Sequence, residues 1–244
     1  MGAIEDAPAL SAEARQVVDA AGAAGELKRL LEVRVPELIA YQNGSYAREY
    51  VSFVTLVRQA EAAGVPGESR LSEAVARYLF KLMAYKDEYE VARLHLKNDI
   101  AHALAAEYPG GVKLSYNLHP PFLRALGLTQ KIKLGTWFDP IFGLLARLKG
   151  LRGTALDPFG RAEVRRVERQ LAGEYRGLVE KSLVGLSPET HARAVKLAEL
   201  PDLIRGYEDI KLRNVQRFRD EVRALLLSAA RPRRGTQWPI STSR

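Results

Sequence analysis

Apolar and polar residues along most of this chain repeat with the period of an α-helix. Apolar positions recur at spacings of three and four, which places them on one face of a helix. One such row is Val164, Val167, Leu171, Tyr175 and Leu178. The same pattern predicts helices over residues 11–20, 26–34, 36–63, 72–107, 138–149, 161–183, 188–199 and 209–227. The sequence therefore predicts a mostly α protein.

Proline and glycine positions set the expected helix boundaries. Pro36 has no backbone N–H, so a helix is expected to break or restart there. Asn43-Gly44 is a weak point in the next helical stretch, and a bend is predicted at this place. The longest helical pattern covers residues 72–107 and continues until Pro109-Gly110-Gly111 stops it.

The only β pattern lies near residues 112–134. Residues 112–118 alternate between apolar and polar, and Ile132 and Leu134 alternate with lysines. Pro120 and the proline after it end the first stretch, because proline cannot donate a hydrogen bond to a neighbouring strand. One small β-hairpin is therefore predicted within the helical protein.

The length of the chain fits one helical domain with two less regular ends. Its 244 residues, of which 47% are hydrophobic, suffice to bury a substantial core. The pattern predicts a partly helical N-terminal extension over residues 1–35 and a multi-helix domain over 36–228. A flexible tail is expected over 229–244, since this stretch is polar and interrupted by prolines.

The absence of cysteine limits the chemistry of the chain. It excludes disulfides, thiolate metal sites, iron–sulfur ligation and a cysteine nucleophile on this chain. The acidic, alanine-rich start lacks the features of a signal peptide, and Asp6 replaces the Ser or Thr of a myristoylation signal. No apolar run approaches the roughly 18 residues of a membrane span. A cytoplasmic protein without membrane contact is therefore expected.

Positive charge is concentrated in the C-terminal part. The net charge is +8, and residues 147–244 contain 21 Lys and Arg against 12 Asp and Glu. A solvated, arginine-rich surface is the simplest interpretation, followed by docking to an acidic partner protein. A nucleic-acid surface is the least favoured, because it needs exposed aromatic side chains and Tyr175 lies on the apolar row.

Most side chains that can carry chemistry have a simpler structural interpretation. The P-loop and the dinucleotide-binding motif do not occur in the sequence. His95 and His102 are two helical turns apart, roughly 10 Å, which is too far for one zinc ion. Among the histidines, His119 is the exception to this structural interpretation. The two prolines that follow it would fix the direction of its side chain. The charged run around Lys86 is typical of a solvated helix face.

Residues 145–163 form the most unusual segment, a basic helix end followed by a glycine-rich turn. Asp157-Pro158 is predicted to be the N-cap and first residue of the next helix. That helix start can receive an anion, while a purely structural turn is an equally good interpretation. The candidate contact or anion-binding surface comprises Lys86, His119, Lys149, Arg152, Asp157, Arg161, Arg165 and Arg169.

Five motifs in a fixed order resemble those of one known family. The two longest are AVARYLFKLMAYKDEYEVARL at residues 74–94 and RLKGLRGTALDPFGRAEVRRVER at residues 147–169. Residues 41–54, 117–123 and 199–215 supply the other three. Together they resemble the C-terminal helical domain of indolepyruvate ferredoxin oxidoreductases, over most of the chain.

The resemblance implies a place in an enzyme that oxidatively decarboxylates 2-oxo acids, especially arylpyruvates, to acyl-CoA and reduces ferredoxin. The complete enzyme uses thiamine diphosphate, Mg²⁺, coenzyme A and iron–sulfur clusters in its other domains. No catalytic, cofactor-binding or metal-binding residue transfers to this chain. The resemblance therefore implies a non-catalytic accessory subunit or domain that scaffolds the catalytic subunits or docks ferredoxin.

Two other functions stay open at the level of the sequence. One is a stand-alone helical protein that binds nucleic acid, which requires a continuous basic stripe. The other is an independent enzyme or small-molecule binder, which requires a pocket lined by Tyr85, Lys86, His119 and Arg152.

Overall fold

The computed structural model describes residues 10–97, 116–118, 132–134 and 139–230. Within these ranges the chain is mostly helical, which confirms the predicted fold class, and nine α-helices are present. In chain order they are α1 (Ala12–Asp19), α2 (Gly25–Tyr41), α3 (Gly44–Gly64), α4 (Arg70–Met83), α5 (Glu88–Lys97), α6 (Asp139–Arg147), α7 (Glu163–Leu183), α8 (Pro188–Glu199) and α9 (Glu208–Ala230). The described residues also include 3-10 helices at Leu148–Leu151 and Leu200–Leu203.

The chain divides into two compact units, Met1–Glu199 and Leu200–Arg244. In the first unit α4 contacts α2, α3, α7 and α8, and it therefore lies at the centre of the helical packing. Leu71, Val75 and Leu79 of α4 are completely buried. Each such side chain stabilises the fold by about 1.5–3 kcal/mol. The second unit contains the 3-10 helix Leu200–Leu203 and α9.

Two short strands lie in the region of the predicted hairpin. β1 (Tyr116–Leu118) pairs antiparallel with β2 (Ile132–Leu134), and Asn117 is opposite Lys133. Residues 119–131, which would connect them, lie outside the described residues. The hairpin as a continuous unit therefore stays a prediction.

Pro36 lies inside α2, so the predicted break at this residue is wrong. A proline in a helix interior removes one backbone hydrogen bond and costs about 3 kcal/mol. Val35 and Leu38 beside it are completely buried. Because burial of each contributes about 1.5–3 kcal/mol, packing on both sides of Pro36 offsets the cost and keeps the helix continuous.

The structure has a boundary between two helices at Asn43-Gly44, where a bend within one helix is predicted. α2 ends at Tyr41, and α3 begins at Gly44 with Asn43 as its N-cap. The Tyr46 amide donates a hydrogen bond to the Asn43 side-chain oxygen at 2.9 Å. The helix predicted over 36–63 is thus two helices, because the asparagine satisfies an amide that would otherwise lack a partner at the start of α3.

A break between α4 and α5 divides the longest predicted helix, and the single helix expected over 72–107 is wrong. α4 ends at Met83 and α5 begins at Glu88. Asp87 caps α5, since its Oδ1 accepts a hydrogen bond from the Glu90 amide at 2.8 Å. Residues 98–107 lie outside the described residues.

Most other predicted helices agree with the structure. Ser11 caps α1 by accepting a hydrogen bond from the Ala14 amide at 3.2 Å, and α1 lies within the helix predicted over residues 11–20. α8 has its predicted bounds, and α6 and α9 differ from theirs by three residues or fewer at each end. Residues 231–244 lie outside the described residues, so the flexibility expected of the tail stays a prediction.

Gly64, the last residue of α3, allows α3 to approach the turn between α7 and α8. A Cβ at this position would lie 2.5 Å from the carbonyl oxygen of Leu186. Gly64→Ala should therefore lower the free energy of unfolding by about 1–3 kcal/mol, because backbone has to move to relieve the overlap. Urea denaturation followed by circular dichroism measures the loss.

Gly173 provides the matched control for this substitution. It lies within α7, and a Cβ there would meet nothing within 4 Å. Gly173→Ala should stabilise the protein by about 0.5–1 kcal/mol, since alanine favours the helix. Equal effects of the two substitutions would show that the contact of Gly64 with Leu186 does not limit the packing.

Candidate functional site

The segment that the sequence singles out, residues 145–163, packs on α2 and on the junction of α4 and α5. α6 and the 3-10 helix Leu148–Leu151 lead into it, and both contact α5. Gly153, with φ of +74°, provides the turn that follows, in a conformation that favours glycine. This arrangement places Lys149, Arg152 and Asp157 against residues that are 60 or more positions away in the sequence.

Arg152 occupies the centre of the segment and is almost completely buried. Its side chain is 7% exposed, and its Nε and Nη2 donate hydrogen bonds to the two carboxylate oxygens of Asp87 at 2.5 and 2.9 Å. Its Nη1 donates to the Tyr41 carbonyl and to the Gln42 side-chain oxygen, each at 2.7 Å. The guanidinium lies 3.7 Å from the centre of the Tyr41 ring. A bidentate ion pair with a carboxylate and stacking on an aromatic ring are both typical of arginine.

The pKa values of Arg152 and Tyr85 in this cluster are both raised, although burial acts on them in opposite directions. Burial alone would lower the pKa of Arg152, but the hydrogen bond to Asp87 and the attraction of nearby groups raise it above its usual value. Burial, followed by the charge of Asp87, raises the pKa of Tyr85 to about 12. Arg152 and Asp87 therefore form an ion pair, and Tyr85 beside it is a neutral phenol at physiological pH.

Lys149 binds the C-terminal end of α2. Its Nζ donates hydrogen bonds to the carbonyl oxygens of Ala40 at 2.6 Å and of Ile39 at 3.4 Å. Together with the bond from Arg152 to Tyr41, this satisfies three of the four carbonyls that lack a partner at a helix C-terminus. Two cations also stabilise the negative end of the helix dipole. Burial, and then repulsion from Arg152 and Arg93, lowers the pKa of Lys149.

Asp157 stabilises the turn and does not cap α7, so its predicted role as the N-cap is wrong. α7 begins at Glu163, and its N-cap is Ala162. The carboxylate of Asp157 accepts hydrogen bonds from the amides of Gly153 at 2.8 Å and Phe159 at 3.1 Å, and from the Tyr89 hydroxyl at 3.2 Å. A carboxylate that binds two amides of its own loop and a hydroxyl of α5 holds that loop in one conformation against α5.

The arginines of α7 predicted to lie on a contact surface are also paired within the protein. Arg165 contacts Glu88 at 3.2 Å and Glu168 at 2.6 Å, and its side chain is 12% exposed. Arg169 lies 3.7 Å from Asp157 and donates to the Gly160 carbonyl at 2.5 Å. These residues therefore attach α7 to the segment and to α5.

Burial of the Glu88 carboxylate in this network is electrostatically unfavourable. Burial raises the pKa of its carboxyl group, although the charge of Arg165 opposes the shift. The Glu88 carboxylate therefore depends on Arg165 for its stabilisation, and the pair acts as a structural link between α5 and α7.

The remaining residues of the predicted contact surface do not belong to this buried network. Lys86 and Arg161 are exposed. His119 lies outside the described residues. The proposed anion site thus loses its central cations, because Lys149 and Arg152 already bind the protein's own carbonyls and a carboxylate. The pocket expected around Tyr85, Lys86 and Arg152 is not formed by these three, since Lys86 is exposed and the other two side chains are buried.

A second buried polar cluster, which sequence reasoning missed, joins α3, α4 and α8. Glu61 is completely buried, and its carboxylate accepts hydrogen bonds from the amides of Leu71 and Ser72, both at 2.8 Å. It also accepts from the Ser72 hydroxyl. The Nε2 atom of His191 lies 2.7 Å from Oε1 of the same Glu61 carboxylate. The local sequence contains no signal for this cluster, because Glu61 and His191 are 130 positions apart.

The order of these three side chains indicates a structural role. In a nucleophilic triad the hydroxyl bonds to the imidazole, and the carboxylate orients the imidazole from its other side. Here the carboxylate lies between the hydroxyl and the imidazole. Glu61 thereby satisfies two amides at the start of α4 with a charge that the helix dipole favours, and His191 anchors α8 to it.

Two other features, a metal site and a membrane-spanning helix, are absent from the described ranges. No group of three or more His, Cys, Asp or Glu side chains there is arranged to hold a metal ion. None of the helices in those ranges has the length and apolar character needed to cross a membrane. Tyr175, on which the argument against a nucleic-acid surface depends, is completely buried, and its hydroxyl donates to the Ala198 carbonyl at 2.8 Å.

Comparisons with known proteins give one match. Residues 27–224 match the model of a family of unknown function, DUF6537. No curated protein and no solved structure matches the chain. The matched residues include both buried polar clusters, from Glu61 to His191. Because the match extends over more than half of the sequence, the chain belongs to this family of unknown function.

Proposed function

We propose that this chain is a non-catalytic accessory domain or subunit of an indolepyruvate-type 2-oxoacid:ferredoxin oxidoreductase. It packs as a helical scaffold on the catalytic subunits, and its exposed cations attract the acidic electron acceptor ferredoxin. Thiamine diphosphate, Mg²⁺, coenzyme A and the iron–sulfur clusters belong to the other parts of that enzyme.

One observation carries this proposal: the two longest motifs of the resemblance contact each other in the fold. Residues 74–94 contribute Asp87 and Glu88, and residues 147–169 contribute Arg152 and Arg165, which pair with them. In this chain the motifs that carry the resemblance are therefore joined by an internal ion-pair network. A network whose members satisfy one another favours a structural role over catalysis, because groups at an active site must remain available to a substrate.

A binding experiment tests whether the chain assembles with the catalytic subunits. The purified chain is mixed with an indolepyruvate:ferredoxin oxidoreductase from which the C-terminal helical domain has been deleted. A stable complex that contains thiamine diphosphate and elutes together on size exclusion is the expected result. The same mixture with an unrelated helical protein of similar size and charge is the control. If both mixtures separate into their components, the proposal is wrong.

Exposed cations near the start of α7 give a second, finer test. Arg161 and Arg166 are exposed, whereas Arg165 and Arg169 hold internal ion pairs. The variant R161E/R166E should raise the KM for ferredoxin several-fold at low ionic strength, because it reverses the charge that steers an acidic partner. The difference should shrink as salt screens the interaction, over a Debye length of about 10 Å at 0.1 M.

The matched control reverses two cations on α8. Arg193 and Lys196 are also exposed, so R193E/K196E produces the same change in net charge at a different place. Ferredoxin-dependent turnover of the assembled enzyme at several salt concentrations is the measurement. An equal rise in KM for both variants would indicate a general charge effect and reject docking at the start of α7.

A further inference from the structure

α9 carries an exposed row of side chains whose spacing alternates between three and four residues. We call it the α9 row. Its members are Ile210, Arg213, Arg217, Asp220, Ala224 and Leu227, and all six are exposed. Ile210 and Leu227, at its two ends, are 53% and 62% exposed. The spacing is that of the contact positions in a coiled coil, and the row extends over about five helical turns.

The opposite face of α9 makes this row the side that is free for a partner. Val215, Phe218 and Val222 are buried, and they follow the same spacing on the other side of the helix. α9 thus has one buried apolar face and a second face that is exposed. The exposed row has one large apolar side chain at each end and charged side chains at its centre.

We propose that α9 pairs antiparallel with α9 of a second copy of this chain. A two-fold axis between residues 218 and 219 places Ile210 opposite Leu227 of the second copy and Arg217 opposite its Asp220. Each apolar end then meets an apolar end, and each arginine at the centre meets a carboxylate. A two-fold interface repeats every contact twice, so the row is complementary to itself.

The charges of the row determine the orientation. In a parallel pair Arg213 would face Arg213 and Arg217 would face Arg217, and like charges in contact are destabilising. In the antiparallel pair Arg213 faces the small side chain of Ala224, which leaves room for the guanidinium to reach solvent. Charge complementarity therefore favours the antiparallel second copy over a parallel one.

Arg217 and Asp220 can each bind the opposite charge on the second copy. Arg213 and Arg217 form no ion pair with any residue in the described part of the chain. Asp220 accepts hydrogen bonds from Gln216 at 3.1 Å and from Arg223 at 3.2 Å, and both bonds use its Oδ1. Its Oδ2 can therefore accept a hydrogen bond from Arg217 of the second copy.

The mass of the full chain in solution over a range of concentrations tests the proposal. The chain should form a dimer, and D220R should weaken dimerisation at least about tenfold because Arg217 would then face an arginine. The double variant R217D/D220R restores opposite charges across the axis and should recover most of the loss. E180R, an equal charge reversal at an exposed position of α7, should leave dimerisation unchanged.

Three results would overturn the proposal: a wild-type chain that stays monomeric, a dimer that D220R does not weaken, and a double variant that remains as weak as D220R. The absence of natural cysteine allows a test of orientation. When R213C chains and A224C chains are mixed and oxidised, disulfides should join one kind to the other. Cross-links within the R213C population alone would indicate parallel helices and reject the antiparallel pair.

Discussion

Replacing Arg152 with methionine should lower the free energy of unfolding by about 3–5 kcal/mol, because it leaves a buried carboxylate without its cation. Asp87 is 4% exposed and pairs with Arg152 through both oxygens. Methionine has a similar length and fills most of the space, so the loss reports the charge more than the volume. The carbonyl of Tyr41 and the side chain of Gln42 also lose a donor. Urea denaturation at neutral pH measures the effect.

A second substitution separates the charge from the packing. Asp87→Asn in the Arg152→Met background removes the unpaired charge and keeps an oxygen that can cap α5 through the Glu90 amide. It should recover about 1–2 kcal/mol of the loss, since a neutral amide costs less to bury than a carboxylate. Arg161→Met is the matched control and should change stability by no more than about 0.5 kcal/mol, because Arg161 is exposed. Equal losses in Arg152→Met and Arg161→Met would refute the role of the buried pair.

Local signals in the sequence suffice for most helices of this protein. Ser11 and the Ser187-Pro188 pair lie at helix starts and act within a few residues. The helices predicted over 11–20 and 188–199 begin within one residue of their expected starts. The apolar row of α7 likewise holds Leu171 and Tyr175 in the core. Such features depend on hydrogen bonds and periodicity inside one element, so the sequence contains the information in one place.

Two of the wrong predictions, at the break between α4 and α5 and at Pro36, involve contacts that the local sequence does not specify. The apolar pattern continues from α4 into α5, and only the cap at Asp87 and its pairing with Arg152, 65 positions later, show why the helix breaks there. A local signal was present, since Asp87 and Glu90 have the spacing of a capping box. Pro36 is the opposite case, in which buried neighbours keep a helix continuous through a residue that usually ends one.

The candidate site shows the same limit for charged side chains. The sequence correctly marks residues 145–163 as unusual, but it gives Arg152 and Arg161 the same weight. In the fold Arg152 is buried beside Asp87, whereas Arg161 is exposed. Since the partners of each arginine come from other helices, charge and spacing alone cannot separate a structural arginine from one that faces a partner protein.

Replacing Glu61 with leucine should lower the free energy of unfolding by about 3–5 kcal/mol, although leucine is apolar and close to glutamate in size. The carboxylate accepts bonds from two amides, the Ser72 hydroxyl and His191, all in the core of the first unit. Removing it leaves these donors buried without an acceptor, and each such loss costs about 1–3 kcal/mol. Denaturation with urea again gives the magnitude.

His191 determines how much of that effect comes from the link to α8. His191→Leu alone should destabilise the protein, whereas adding it to Glu61→Leu should cost less than the sum of the two single losses, because the imidazole has already lost its acceptor. Glu180→Leu, at an exposed position of α7, is the control and should change stability by no more than about 0.5 kcal/mol. Strict additivity of the two core substitutions would mean that Glu61 and His191 act independently. The buried carboxylate would then serve only as a cap for α4, and α8 would be held in place by its apolar side chains alone.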